Sequence, residues 1–191
     1  MEKVGIIGLG YVGLPLASLC AKKGHNTVGL DKKSEVVDQL NAGKSHIQDA
    51  LTETWVKEAH KTGKLHATTD EKELEDCNVL IICVPTPIDK DKKPNTDPLV
   101  EASAVVAKHL KEKDLVIVES TVFPGTCENI IKPVLEKESG LEAGKDFYLA
   151  HCPERVNPGD VLWTTENIPR VVGALTPEGT EKAAIFYKTL L

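Results

Sequence analysis

The chain has 191 residues, 41% of them hydrophobic and 27% charged, and a formal net charge of −6. That length suits one domain with a sizeable core. The acidic balance argues against a nucleic-acid or anionic-membrane surface, and no apolar run approaches the roughly 18 residues of a membrane-spanning helix, so neither partner is expected.

Lys3 to Ile7 is a short apolar run that leads into glycine and reads as a buried strand. Val12, Leu16, Leu19 and Cys20 then recur at helical spacing, and Lys22, Lys23 and Gly24 close that helix. Thr27 to Leu30 is a second strand, ending at Asp31. Helical pattern follows through Leu40, and again from Thr52 to Lys61. Leu65 to Thr68 reads as a third strand and Val79 to Val84 as a fourth, stopped by Pro85. The polar stretch from Ile88 to Asn95 either flanks the site or is a disordered surface loop, the latter being the plainer reading. Asp97 is expected to cap a helix with Pro98 at its first position and Leu99, Ala102, Val106 and Leu110 as its buried stripe. Leu115 to Val118 is a fifth strand, Phe147 to Ala150 a sixth and Arg170 to Val172 a seventh. Thr176-Pro177-Glu178 opens a last helix still running at Leu190 and Leu191, so a further segment is expected to follow.

Continuously apolar strands separated by helices imply an α/β domain: a mostly parallel sheet with helices on both faces. The N-terminal apolar run is broken by Gly8, Gly10 and Gly13 and has no basic leader, so no signal peptide is expected. The five cysteines are odd in number and form no CxxC pair, which fits reduced thiols in a cytoplasmic protein. The six histidines lack metal-ligand spacing, and no metal site is expected.

The first strand runs into Gly8-Leu9-Gly10-Tyr11-Val12-Gly13, a GxGxxG turn that opens the first helix. Gly8 permits the tight turn, Gly10 lets the backbone approach a pyrophosphate, and Gly13 lets helix and sheet pack closely. The helix N-terminus offers N–H groups and partial positive charge to the phosphates, with Tyr11 and Val12 at that turn. Asp31 ends the second strand 18 residues after Gly13, where a carboxylate accepts from ribose hydroxyls and repels a 2′-phosphate. These features predict a Rossmann-type, doubly wound domain that binds NAD. Lys32 follows Asp31 and is counted with the cofactor contacts, although Lys32 and Lys33 weaken the preference for NAD over NADP. A methyltransferase also places an acid at this strand end, so the acid alone does not fix the cofactor.

Ligands in open α/β sheets bind beyond the carboxyl ends of the strands. Thr86, in Val84-Pro85-Thr86-Pro87, follows the fourth strand. Ser120 and Thr121 follow the fifth, and Glu154, in His151-Cys152-Pro153-Glu154-Arg155, follows the sixth. These residues are expected to converge on one crevice with Gly10 and Asp31, although turn chemistry alone also places Thr, Pro and Gly at strand ends.

In order and spacing these segments resemble the N-terminal domain of the nucleotide-sugar 6-dehydrogenases, which act on UDP-glucose and UDP-N-acetylhexosamines. The resemblance covers almost the whole chain. It rests on Gly8 to Pro15, Val84 to Pro87, Glu119 to Thr126, and Cys152-Pro153-Glu154-Arg155-Val156-Asn157-Pro158-Gly159. The Cys-Pro-Glu-Arg-Val form and Pro169-Arg170-Val171-Val172-Gly173 resemble the branch acting on UDP-N-acetylmannosamine or UDP-N-acetylglucosamine.

The resemblance implies oxidation of the sugar C6 alcohol to a carboxylate by two NAD in turn, through a cysteine thioester. It implies that Thr121 and Glu154 are catalytic, flanking the reacting water and the cofactor. Thr86 and Ser120 would contact NAD, and Arg155 and Asn157 would lie against the sugar. The family's nucleophilic cysteine lies in a central domain that follows this one, as does a C-terminal UDP-sugar domain. None of the five cysteines here stands in that motif. Residues 1–191 are therefore expected to be the NAD-binding domain alone, unable to turn over the UDP-sugar by itself, with the full-length protein a homodimer. The other reading kept open is a non-catalytic NAD-binding module, serving as a redox sensor or partner subunit.

Overall fold

The computed structural model describes residues 1–157 and 162–191. Seven strands form one sheet: β1 (Lys3–Ile7), β2 (Asn26–Leu30), β3 (Leu65–Thr68), β4 (Val79–Ile82), β5 (Leu115–Val118), β6 (Tyr148–His151) and β7 (Gly173–Ala174). Their order across the sheet is β3-β2-β1-β4-β5-β6-β7. All pairs are parallel except β6 with β7. The helices are α1 (Gly13–Lys22), α2 (Ser34–Asn41), α3 (Ala50–Thr62), α4 (Asp97–His109), α5 (Lys132–Ser139) and α6 (Pro177–Lys188). This is the doubly wound Rossmann architecture expected from the sequence.

Strand periodicity of two builds the two faces. Val79 and Ile81 of β4, with Leu115 and Ile117 of β5, enter one core with Leu16 and Leu19 of α1, Trp55 of α3 and Phe186 of α6. Leu80, Ile82, Val116 and Val118 alternate to the opposite core, against Leu99 and Val106 of α4 and Leu135 of α5. Both faces are covered, which is why these strands are apolar at every position.

Local signals set the helix ends. The Asp49 carboxylate accepts the Thr52 N–H at 2.7 Å to cap α3, and Gly63 ends it at φ 64°. The Thr176 hydroxyl accepts the Gly179 N–H at 3.1 Å and caps α6. The start of α4 differs from the expectation. Thr96 occupies the cap position, and Asp97 is the first helical residue, its N–H held by the Asn95 side chain at 2.8 Å. An Asx turn at Asn95, two residues upstream, takes the role assigned to Asp97.

Two other expectations are corrected. The seventh strand is Gly173–Ala174, not Arg170 to Val172. The Arg170 side chain is drawn into the interior by ion pairs, so its segment leaves the sheet. Residues 88–95 fold back on themselves through an antiparallel bridge between Ile88 and Pro94. The Asp89 carboxylate gathers the N–H groups of Asp91 and Lys93, each at 2.8 Å, so the loop is ordered by its own turn chemistry. Among the described residues, no helix is long and apolar enough to cross a membrane.

Candidate functional site at the carboxyl edge of the sheet

The sheet order reverses between β1 and β4, and the glycine turn leaves β1 at that point. The three glycines meet different surroundings. Gly8 has φ +94°, and a Cβ there would stand 2.7 Å from the Cys83 carbonyl oxygen. A Cβ on Gly13 would stand 1.8 Å from the Gly8 carbonyl oxygen. A Cβ on Gly10 would meet nothing within 4 Å. Packing therefore explains the first and third glycines and leaves the middle one free of any internal demand. Its bare backbone faces open space, as the approach of a pyrophosphate requires.

Beside this turn α1 starts without a side-chain cap, on Val12, and with no acid in its first turn. Its leading N–H groups and partial positive charge are directed at the same space. Asp31 closes the other side. Its Oδ2 accepts the Leu9 N–H at 2.9 Å and its Oδ1 the Lys33 N–H at 3.0 Å. The carboxylate is thus fixed at the tip of β2 with acceptor capacity to spare. Lys32 is exposed, and its ammonium pairs with Glu101 on α4 at 2.5 Å. His46, between α2 and α3, was not among the expected site residues. Its Nδ1 is buried without a partner among the described residues, and burial lowers its proton affinity against the pull of Asp31.

Two cavities open along the edge. One, of about 160 Å³, is lined by Tyr11, Val12, Trp55, Asp49, Thr165 and Glu154. The other, of about 300 Å³, is lined by Thr86, Asn95, Leu99, Thr121 and Phe123 among others. The structure thus gathers Thr86 with Thr121, and Glu154 with Tyr11 and Val12. Thr121 and Glu154 line different cavities. The Ser120 hydroxyl turns back into the sheet, donating to the Val84 carbonyl at 2.8 Å. Arg155 and Asn157 are exposed and line neither cavity. Pro158 and Gly159 of the Cys-Pro-Glu-Arg segment lie outside the described residues.

Behind Glu154 lies a buried ionic cluster. Arg170 Nη1 donates to Glu119 Oε1 at 3.0 Å, and Nη2 reaches Glu154 Oε2 at 3.4 Å. The side chains of Arg170, Glu119 and Glu154 are 3%, 0% and 9% exposed. Tyr187 of α6 donates its hydroxyl to Glu119 Oε1, and its ring lies 5.1 Å beneath the guanidinium. Burial pushes the Glu119 carboxyl up to about 7, against the pull of Arg170. Burial opposes the charge on Arg170, and Glu119 and Glu154 outweigh it and hold Arg170 above its ordinary value. Glu154 Oε1 also accepts the N–H groups of Arg155 at 2.6 Å and Val156 at 2.9 Å. A Glu directly after an all-apolar strand was the one sequence signal of this cluster. Tyr187 carried none, because an aromatic on a helix reads as core.

The NAD binding domain of the UDP-glucose/GDP-mannose dehydrogenase family matches residues 2–191 of this chain. A UDP-N-acetyl-D-glucosamine 6-dehydrogenase of Pseudomonas aeruginosa is 42% identical over 99% of the chain and 44% of its own length. The solved UDP-N-acetyl-D-mannosamine dehydrogenase of Pyrococcus horikoshii superposes with a TM-score of 0.94 at 38% identity, over 99% of this chain and 45% of that one. A ternary complex of the Pseudomonas aeruginosa GDP-mannose dehydrogenase gives a TM-score of 0.93 at 32% identity, over 98% of this chain and 44% of that one. The chain spans less than half the length of these relatives.

Proposed function

The chain belongs to the UDP-glucose/GDP-mannose dehydrogenase family as its NAD binding domain, and from that premise we propose that it is the cofactor half of a cytoplasmic, homodimeric UDP-N-acetylhexosamine 6-dehydrogenase. The observation that carries the reading is the middle glycine: Gly10 alone of the three faces open space, between an uncapped helix start and the Asp31 carboxylate. Gly8, Gly10, Tyr11, Val12 and Gly13 would hold the pyrophosphate, and Asp31 the adenosine ribose. Thr86, Ser120 and Thr121 would meet the nicotinamide half. The N-acetylhexosamine branch is favoured by relatives that carry UDP-N-acetylglucosamine and UDP-N-acetylmannosamine in their names.

NAD bound in this site supplies a hydride acceptor, used twice to take the C6 alcohol to a carboxylate. The chain's own part is to orient and to hold protons. Glu154, fixed by two backbone N–H groups and by Arg170, is the carboxylate that accepts a proton at the reacting centre. Thr121, exposed at the other cavity, offers a hydroxyl to a water brought there. Neither can act as the thiol nucleophile. Burial raises all five cysteines, which disfavours the thiolate at each. On this reading the nucleophile is supplied from outside residues 1–191, which alone should bind cofactor without turnover.

The test is NADH formation from NAD and a UDP-N-acetylhexosamine. The full gene product should form two NADH per sugar, and the 191-residue chain none. Turnover by the short chain, or none by the full product with any UDP-sugar, would refute the assignment.

A further inference from the structure

The ionic cluster behind Glu154 has more structure than a fixed support needs. One guanidinium is divided between two carboxylates, Glu119 at 3.0 Å and Glu154 at 3.4 Å, all three side chains at or below 9% exposed. If both acids are ionised the cluster carries a net negative charge away from water, which is unfavourable. If one acid holds a proton, the cluster is neutral.

Glu119 has the place for that proton. Its Oε1 receives Arg170 and Tyr187, whereas its Oε2 is buried with no partner among the described residues. The titratable groups facing it come from several elements. Cys20 comes from α1, Cys83 from just beyond β4, Cys152 and Glu154 from beyond β6, Arg170 from the segment before β7, and Tyr187 from α6. Burial raises the three thiols and the phenol, so they stay neutral around pH 7. Among these groups of the described residues, the two carboxylates and the guanidinium are left to carry charge.

We propose that Arg170 is the positioning residue of Glu154 and that Glu119, from the sheet side, sets how firmly Arg170 holds it. This rests on the reading of Glu154 as the reacting carboxylate. With Glu119 protonated, the guanidinium is committed to Glu154, and the carboxylate is clamped. With Glu119 ionised, Arg170 is drawn inward to Glu119, and Glu154 is left to its two backbone N–H groups. The burial of Glu119 places this change within the neutral range, at about pH 7. The hydroxyl of Tyr187 ties the same switch to α6.

The test is a pH titration of the 191-residue chain labelled with carboxyl-13C glutamate, the Glu154 signal being assigned with Glu154→Gln. The wild-type Glu154 signal should show an inflection near pH 7 that follows Glu119. Glu119→Gln should remove that inflection. Arg170→Met should remove it as well, and Arg170→Lys, which keeps the charge, should retain it. A Glu154 signal that is flat near pH 7, or an inflection that survives Glu119→Gln, would overturn the proposal. Should Arg170→Met not fold, the Glu119→Gln and Arg170→Lys pair decides alone. Adding NAD at each pH tests the underlying reading separately. A Glu154 signal that ignores NAD while keeping its inflection would sink the placement of Glu154 at the cofactor and leave the coupling intact.

Discussion

The Asp31 carboxylate accepts the backbone N–H of Leu9 at 2.9 Å, tying the tip of β2 to the glycine turn that leaves β1. One side chain thereby fixes the two walls between which a dinucleotide would lie. The carboxylate shapes the turn and stays available to a ribose, so loss of Asp31 acts on the site twice. Asp31→Ala should weaken NAD binding by about 1–3 kcal/mol, the scale of a charged hydrogen bond. It should weaken NADP less, because a repulsion with the 2′-phosphate disappears. Calorimetric titration with both cofactors reads the two changes.

The glycines separate folding from binding. Gly10→Val should leave thermal unfolding near the wild type, since a Cβ there meets nothing within 4 Å, and should abolish measurable NAD binding. Gly13→Ala should destabilise the fold by about 3 kcal/mol, because its Cβ would stand 1.8 Å from a backbone oxygen. Denaturant unfolding beside NAD titration of both variants checks the split.

Glu119 gives a pH dependence with a definite sign. Its folded-state proton affinity is raised, from 4.5 to about 7, by burial. Stability linked to the bound proton is complete below pH 4.5 and is lost as pH rises to about 7. Over that window the wild type should lose about 3 kcal/mol relative to Glu119→Gln. Urea unfolding of both chains at the two ends of the window measures the difference.

The thiols should be inert. Cys77 and Cys127 are pushed up to about 11 by burial, which leaves about 100-fold less thiolate than in a free cysteine. A thiol-specific disulfide reagent at neutral pH should therefore label the native chain slowly and the unfolded chain at once. A fast-reacting cysteine in the native chain would reopen the search for a nucleophile within these residues.

Glu154→Gln, placed in the full gene product, should lower turnover by about 10²–10⁴-fold, the range for loss of a general base. NAD affinity should change far less, because the glycine turn and Asp31 are untouched. Steady-state kinetics beside cofactor titration distinguishes this from a folding defect.

Much of this was legible from local chemistry. The central strands β4 and β5 announced themselves because both faces are covered and no polar residue interrupts them. The glycine turn and Asp31 were legible because each needs one residue type at one place. What escaped depended on distant partners. Arg170 sits in a run that reads as strand, and Glu119, 51 residues earlier, and Glu154 draw its side chain inward. Ser120 stands at a strand end expected to meet the cofactor, yet its hydroxyl is spent on the Val84 carbonyl. Tyr187 reads as ordinary helix core, and its hydroxyl contact emerges only when α6 packs on the sheet.

The most direct test of the central claim is a calorimetric titration of the 191-residue chain with NAD and, in parallel, NADP. One saturable site that prefers NAD is expected. No binding of either cofactor, by a chain whose circular dichroism shows it folded, would contradict it, and so would equal affinity for the two.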